Sequence, residues 1–286
     1  MARILFFEKS KIDLDLGAQV VITPTDSVAT DTGAGAASYI RNRDNVSGWG
    51  TTGSSDAAGT TLAVMFGDQQ DIDSLFMLVH NFKSFTVQYY DTSNALQSFS
   101  VPISTSGLAV QSYSPGGAFR SDFFQFGKVT ATGLLITVNS TITANADKFM
   151  AQLVPTLLIG PLLCQPFIQK PMLAATRTEL TTGSGKRKIQ KNAGWFECTL
   201  TQDAVMLNDW ALIETLYSYN QGFLMWLNGN DFNDLVSQYP HGVRAGYRPQ
   251  DLFLCDFADE LTPEYGGDGR YGFGMNLNAR IVEITN

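Results

Sequence analysis

LAVMFGDQQDIDSLFMLVHNFKSFTVQYYD, residues 62–91, is the stretch whose reading decides the fold. Leu62, Val64 and Phe66 alternate, a polar break runs from Gly67 to Asp71, Leu75 to Val79 is continuously apolar, and Phe85, Val87 and Tyr89 alternate with Ser84, Thr86 and Gln88. Alternation at a period of two marks a strand with one buried face, and a short run without a polar face marks a strand covered on both. The pattern predicts three strands, with His80 and Asn81 at the turn before the last. Burying each large side chain contributes roughly 1.5–3 kcal/mol before the entropy of ordering the chain is charged against it. The block is a packing unit and holds no assembled set of reactive groups.

Working outward, 286 residues with 44% hydrophobic content suffice for about two cores of ordinary size. Only 16% of the residues are charged, so Ser, Thr, Asn, Gln and Gly must cover much of the surface, which suits a β protein with protein neighbours. A net charge of −8 argues against nucleic acid as a partner, since phosphate binding draws on clustered cations. The N-terminus, MARILFFEKSKIDLDLG, lacks the pattern of a signal peptide. The longest apolar stretch, Leu153 to Cys164, is broken by Pro155 and Pro161, so no membrane span is expected. Cys164, Cys198 and Cys255 are odd in number and set in apolar surroundings, and buried free thiols are expected.

In chain order, residues 3–7 and 12–22 read as opening strands, and Ser27 to Thr61 as a long Gly- and Ser-rich excursion anchored by Tyr39, Ile40, Val46 and Trp49. Further strands are expected at Leu96–Ile103, Phe123–Phe126, Gly133–Val138 and Lys148–Leu153. Such spacing predicts a β-sandwich or jelly roll over residues 1–155. A Pro-rich linker is expected over 156–171, and a β-rich α+β assembly domain over 172–286. In that domain Met172–Leu180 and Trp195–Thr201 flank a Gly-Ser-Gly tip as a long hairpin. Met206, Trp210, Ile213 and Leu216 predict a helix near 203–220, with Thr201 or Asp203 as its cap and Gly222 after its end. Phe223–Leu227, Leu252–Phe257 and a strand from Phe273 to Ile281 complete it.

These residues carry a resemblance. RDNVSGWG, Arg43 to Gly50, followed by LAVMFGDQQDIDSLFML resembles the discoidin or galactose-binding-like jelly roll. Leu75 to Tyr90, with His80-Asn81 closing a buried strand, is similar to jelly rolls in the tail proteins of long-tailed bacteriophages. So is the later order: an aromatic strand at Phe149–Val154, Gly160-Pro161, a Gly hairpin, and LTQD leading to a helix. The resemblance implies a structural virion protein of the tail tip or baseplate, without enzymatic activity or cofactor. It implies synthesis in the host cytoplasm, and partners that are other copies of itself in a ring and neighbouring tail proteins. The alternative implied is a carbohydrate-binding module for a host cell-surface glycan.

The candidate chemistry is sparse. Two histidines, His80 and His241, stand about 160 residues apart, and a fold role at a turn is expected of His80. Asp68, Asp71 and Asp73 lack the spacing of a calcium loop and read as a solvated turn. Neither Gly266-Gly267-Asp268-Gly269 nor Gly183-Ser184-Gly185-Lys186 completes a phosphate-loop pattern, and both read as hairpin tips. Lys186, Arg187, Lys188 and Lys191 form a cationic cluster, set against Asp256, Asp259, Glu260, Glu264 and Asp268. Both are either solvated loops or the two sides of a head-to-tail interface. Trp49 and Tyr113, in the long loops, are the candidates for stacking on a sugar or anchoring a partner.

Overall fold

The computed structural model describes residues 4–24, 36–43, 47–104, 109–110, 119–162, 167–174, 177–181, 187–191, 195–205, 207–219, 222–226, 252–261, 264–266 and 274–284. Among them the chain is mainly β with one α-helix. Its strands are β1 (Leu5–Glu8), β2 (Val21–Pro24), β3 (Trp49–Gly50), β4 (Thr60–His80), β5 (Phe82–Tyr90), β6 (Leu96–Ser104), β7 (Ala109–Val110), β8 (Arg120–Thr141) and β9 (Phe149–Thr156). They continue with β10 (Leu158–Pro161), β11 (Phe167–Ala174), β12 (Arg177–Thr181), β13 (Arg187–Lys191), β14 (Trp195–Val205), β15 (Phe223–Trp226), β16 (Leu252–Phe257), β17 (Glu264–Gly266) and β18 (Gly274–Glu283). The helix, α1, is Leu207–Tyr217. Two compact units result: residues 7–158 form one, and residues 4–6, 159–226 and 252–284 belong to the other.

The first unit is a β-sandwich built on two very long strands. β4 and β8 pair antiparallel along most of their length, with register breaks at Met65/Gln70, Ile72/Ser74 and Met77/His80. An extra residue in one strand bends it and increases its twist, which lets a single strand turn a corner and serve two layers. The first half of β4 and the second half of β8 join β2, β5 and β6; the other halves join β3, β9 and β7. Leu62, Val64, Phe85, Val87, Leu134, Ile136 and Val138 fill the space between the layers with Trp49, Leu75 and Met77. The run without a polar face is buried on both sides, as its pattern predicts. Leu75 and Met77 face the sandwich core, and Phe76 packs against Phe7 and Phe123 on the outside.

Several expectations are corrected here. The three strands expected over 62–91 are two, because β4 runs through the polar break at Gly67–Asp71 without a turn. Phe123–Phe126 and Gly133–Val138 are likewise one strand. Residues 14–19 are a 3-10 helix, with Asp13 accepting from the Asp15 N–H, and of the segment 12–22 expected as a strand only its last two residues belong to one, β2. Leu5–Glu8 pairs with β10 and β15 in the sheet of the other unit. Residues 156–171, expected as a linker, contain β10 and the start of β11.

The second unit is a mostly antiparallel sheet in the order β10-β1-β15-β16-β18-β14-β11. Phe196, Cys198, Leu200, Leu277, Ala279 and Ile281 face Trp210, Ile213 and Leu216 of α1 in one core. The helix is shorter than expected, and β14 extends to Val205, so Thr201 and Asp203 are strand residues and not caps. Gly222, with a φ of 74°, lies immediately before β15 and five residues past the last residue of the helix. A Cβ there would lie 2.5 Å from Ile284 and 2.8 Å from the Cys255 carbonyl. β12 and β13 form a two-stranded hairpin.

Candidate functional site

The candidate site is the outward face of the layer β2-β4-β8-β5-β6. Because side chains alternate across a strand, residues directly opposite one another share a face. The registers Val21↔Met65, Met65↔Gly133, Tyr90↔Gly133 and Tyr90↔Leu96 place Val21, Met65, Gly133, Tyr90 and Leu96 in one row across all five strands. Thr23, Ala63, Leu135, Gln88 and Ser98 form the next row, and Thr61, Thr137 and Thr86 a third. None of these residues is charged. Five strands at about 4.8 Å spacing make the face about 19 Å across.

The face is open at its ends. Val21 is 55% exposed and Leu96 40%, and they are two of the three large hydrophobic residues exposed among the described ones. Between them Met65, Leu135, Thr137, Gln88 and Tyr90 are half-buried and Gly133 is covered. Gly133 is required: a Cβ would sit 2.6 Å from the Val64 carbonyl and 2.9 Å from Met65 Sδ. Met65 thus lies across a gap in the row.

Polar clamps fix both edges. At the β5–β6 turn Asp91 Oδ1 accepts from the Ser93 and Ala95 N–H groups at 2.8 and 2.9 Å, and Oδ2 from Gln97 at 2.9 Å. Those donors, the Ala95 N–H first, hold its carboxyl below the usual range. Asn94 takes the left-handed conformation that such a turn needs, with φ 59°. At the other edge Arg41 donates to the carbonyls of Asp13, Leu14 and Gly17, and Arg43 pairs with Asp13, so the segment before β2 is pinned. Burial pushes Arg41 down from the ordinary arginine range.

Among the described residues, His80, Asp71, Asp73, Cys198 and Cys255 are committed to structure; His241 lies outside the described residues. His80 is fully buried; its Nδ1 accepts from the Phe82 N–H at 3.1 Å, which leaves the proton on Nε2 to donate to Asp122 Oδ2 at 3.1 Å. Asp122 is held in turn by Arg120 Nη2 at 2.6 Å. Burial pushes His80 down, outweighing the upward pull of Asp122, and Arg120 adds to the depression. Asn81 completes the corner, donating to the Asp147 carbonyl at 2.6 Å and accepting from the Phe149 N–H at 2.9 Å. Asp71 accepts from Thr130 and Lys128, and Asp73 from Ser74 and the Leu158 N–H, within or beside β4 and not in a turn. Cys198 and Cys255 are buried free thiols; burial pushes Cys198 up to about 12 and Cys255 well above the usual thiol range. Cys164 lies outside the described residues.

Trp49 is corrected. It is fully buried in the sandwich core, edge-on to Phe82 with ring centroids 6.3 Å apart, and offers no stacking face to a ligand. Nearby, Lys148 is fully buried, and its ammonium donates to Ser54 Oγ at 3.2 Å and to the Ser55 and Ala58 carbonyls at 3.1 Å. That cage, with Asp56 accepting from Thr141 and Asn145, closes the loop that follows Trp49. Tyr113 and Lys186 lie outside the described residues. Arg187, Lys188 and Lys191 are in β13, Asp259 and Glu260 are exposed in the turn after β16, and Glu264 opens β17. The outward face was missed by sequence reasoning, although its members are the polar-side partners of the alternating residues in β4 and β5.

No family model matches the chain, and no curated protein matches it. Among solved structures it is similar to a mutant of chitosan-binding module 1 from a chitosanase/glucanase of Paenibacillus sp. IK-5. The TM-score is 0.40 and the identity 12%, over 52% of this chain and 98% of that one. A GH29 fucosidase from Ruminococcus gnavus matches with TM-score 0.40 and 10% identity, over 52% of this chain and 27% of that one. The family 32 carbohydrate-binding module from C. perfringens NanJ matches with TM-score 0.36 and 14% identity, over 49% and 94%. The β-sandwich is read from this chain's own strand pairing.

Proposed function

We propose that the chain is a non-catalytic recognition protein whose sandwich takes a neutral glycan on the outward face of β2-β4-β8-β5-β6. One observation carries the reading: across five strands in register that face is free of charge and combines hydroxyl and amide groups with Tyr90, Met65, Leu135 and the exposed ends Val21 and Leu96. A sugar offers apolar C–H faces and hydroxyls that both donate and accept. Apolar and aromatic surface matches the first, and Thr, Ser and Gln side chains match the second. A flat face suits an extended oligosaccharide and binds it weakly, with a dissociation constant in the millimolar range, about −4 kcal/mol.

The test is NMR or calorimetric titration with neutral oligosaccharides from bacterial cell surfaces. Saturable shifts that map to β4, β5 and β8 and vanish in Leu135→Lys and Tyr90→Ala would support the reading. The absence of binding to a broad panel by a folded protein would overturn it.

The setting proposed for this activity is the tail of a long-tailed bacteriophage, in a virion assembled in the host cytoplasm. Its support is the order of the sequence motifs, from the buried strand closed by His80-Asn81 to the hairpin and helix that follow. Immunogold microscopy of a lysate tests the setting separately: label at one end of tails supports it, and intact particles without accessible label after mild dissociation overturn it.

A further inference from the structure

The hairpin β12–β13 continues the β11–β14 pairing past the edge of the sheet: Ala174↔Trp195 is followed by Arg177↔Lys191, and among the described residues β12 and β13 pair with no third strand. A two-stranded extension without a third strand is marginal in water and gains stability from a surface to pack on. Its composition is also unlike the rest of the chain. Residues 177–191 hold five cations, Arg177, Lys186, Arg187, Lys188 and Lys191, against the single carboxylate Glu179, a net of +4 in a chain of −8, which leaves −12 elsewhere.

We propose that this hairpin is an assembly arm that docks on the acidic turn after β16 of a second copy of the chain, in a head-to-tail contact. The turn is suited to it. Asp259 and Glu260 are exposed, and Asp259 meets Arg280 only at 3.8 Å, whereas Arg280 binds Glu197 at 2.7 Å. In the sheet, β11 leads to the arm from Ala174 and β16 leads to the turn from Phe257. The registers Ala174↔Trp195, Cys198↔Ile281 and Phe257↔Ile281 set these strand ends three strands and three residues apart, about 17 Å. The arm's root, on the edge strand, and the acidic turn, at the end of an inner strand, are therefore separate places on one sheet, as the two halves of a heterologous interface require. The proposal is independent of the glycan reading.

The experiment is sedimentation of the full chain at low and high salt, with R187E/K188E/K191E, with D259K/E260K, and with the two variants mixed. The wild type is expected to self-associate in a salt-sensitive way. Each variant alone should associate more weakly by about tenfold or more. The mixture should regain association, because each reversed arm meets a reversed turn. Circular dichroism establishes that both variants are folded, and the mixture supplies the positive readout. A wild type that is monomeric throughout, an unchanged mass in either variant, or a folded mixture that stays dissociated would overturn it. So would arm-dependent retention of a nucleic-acid probe with no self-association, which would make the arm a polyanion site.

Discussion

Acidification should weaken the sandwich through His80, and the size of the effect follows from the geometry. In the folded chain the ring is neutral, with Nδ1 accepting from Phe82 and Nε2–H donating to Asp122. Protonation would set a second N–H against the Phe82 N–H inside a fully buried site. The folded-state pKa is depressed, so the unfolded chain binds the proton more readily and stability rises with pH between the folded and unfolded values. The contribution is fully present above the unfolded value of about 6.5 and is lost as pH falls below it. Between pH 7.5 and 5.5 the loss has an upper limit of about 1.4 kcal/mol, and ordinary carboxylates have barely begun to titrate in that window. Urea unfolding at the two pH values is the assay. His80→Gln keeps a donor for Asp122, leaves the Phe82 N–H unpaired at a cost of about 1–3 kcal/mol, and removes the titration. The pH-dependent loss should therefore be smaller in the variant than in the wild type. Equal losses in both would refute the reasoning.

Lys148→Met should destabilise the sandwich by about 1–3 kcal/mol, since it strips the donor from the buried Ser54 Oγ and from the part-buried Ser55 and Ala58 carbonyls, and hydrogen exchange should rise first at residues 54–58. Trp49→Ala should cost about 3–5 kcal/mol by leaving a cavity, while Trp49→Phe should cost less, because it keeps an aromatic ring in place and removes an indole N–H that is buried without an acceptor among the described residues. Thermal or urea unfolding checks both, and glycan binding by Trp49→Phe should equal that of the wild type. Cys198 and Cys255 should resist alkylation at pH 7.5 until denaturant is added, because burial holds both as thiols; mass spectrometry of the two peptides decides it.

Periodicity alone made much of the fold legible. Alternation in Leu62–Phe66 and Phe85–Tyr89 identifies one buried face, and the unbroken run Leu75–Val79 identifies a strand covered on both, because the side-chain period of a strand is a local property of the chain. The same holds for Trp210, Ile213 and Leu216 on α1, and for the buried free thiols at Cys198 and Cys255. The fold role of His80 was legible from its place at the end of a buried run. Its partner Asp122 was not, because it lies 42 residues away on another strand.

Tertiary structure decided the rest. A bulge looks like a turn in sequence, so only pairing with β8 shows that β4 continues through Gly67–Asp71. Trp49 reads as an exposed loop aromatic until the sandwich closes over it, and Leu5–Glu8 reads as an opening strand of the sandwich until it pairs in the other sheet. The uncharged row from Val21 to Leu96 exists only through the registers of five strands drawn from residues 21–137. Sequence specifies which side chains each strand turns inward; which strands become neighbours, and hence what the outward side chains build together, is set by long-range pairing that no local window contains.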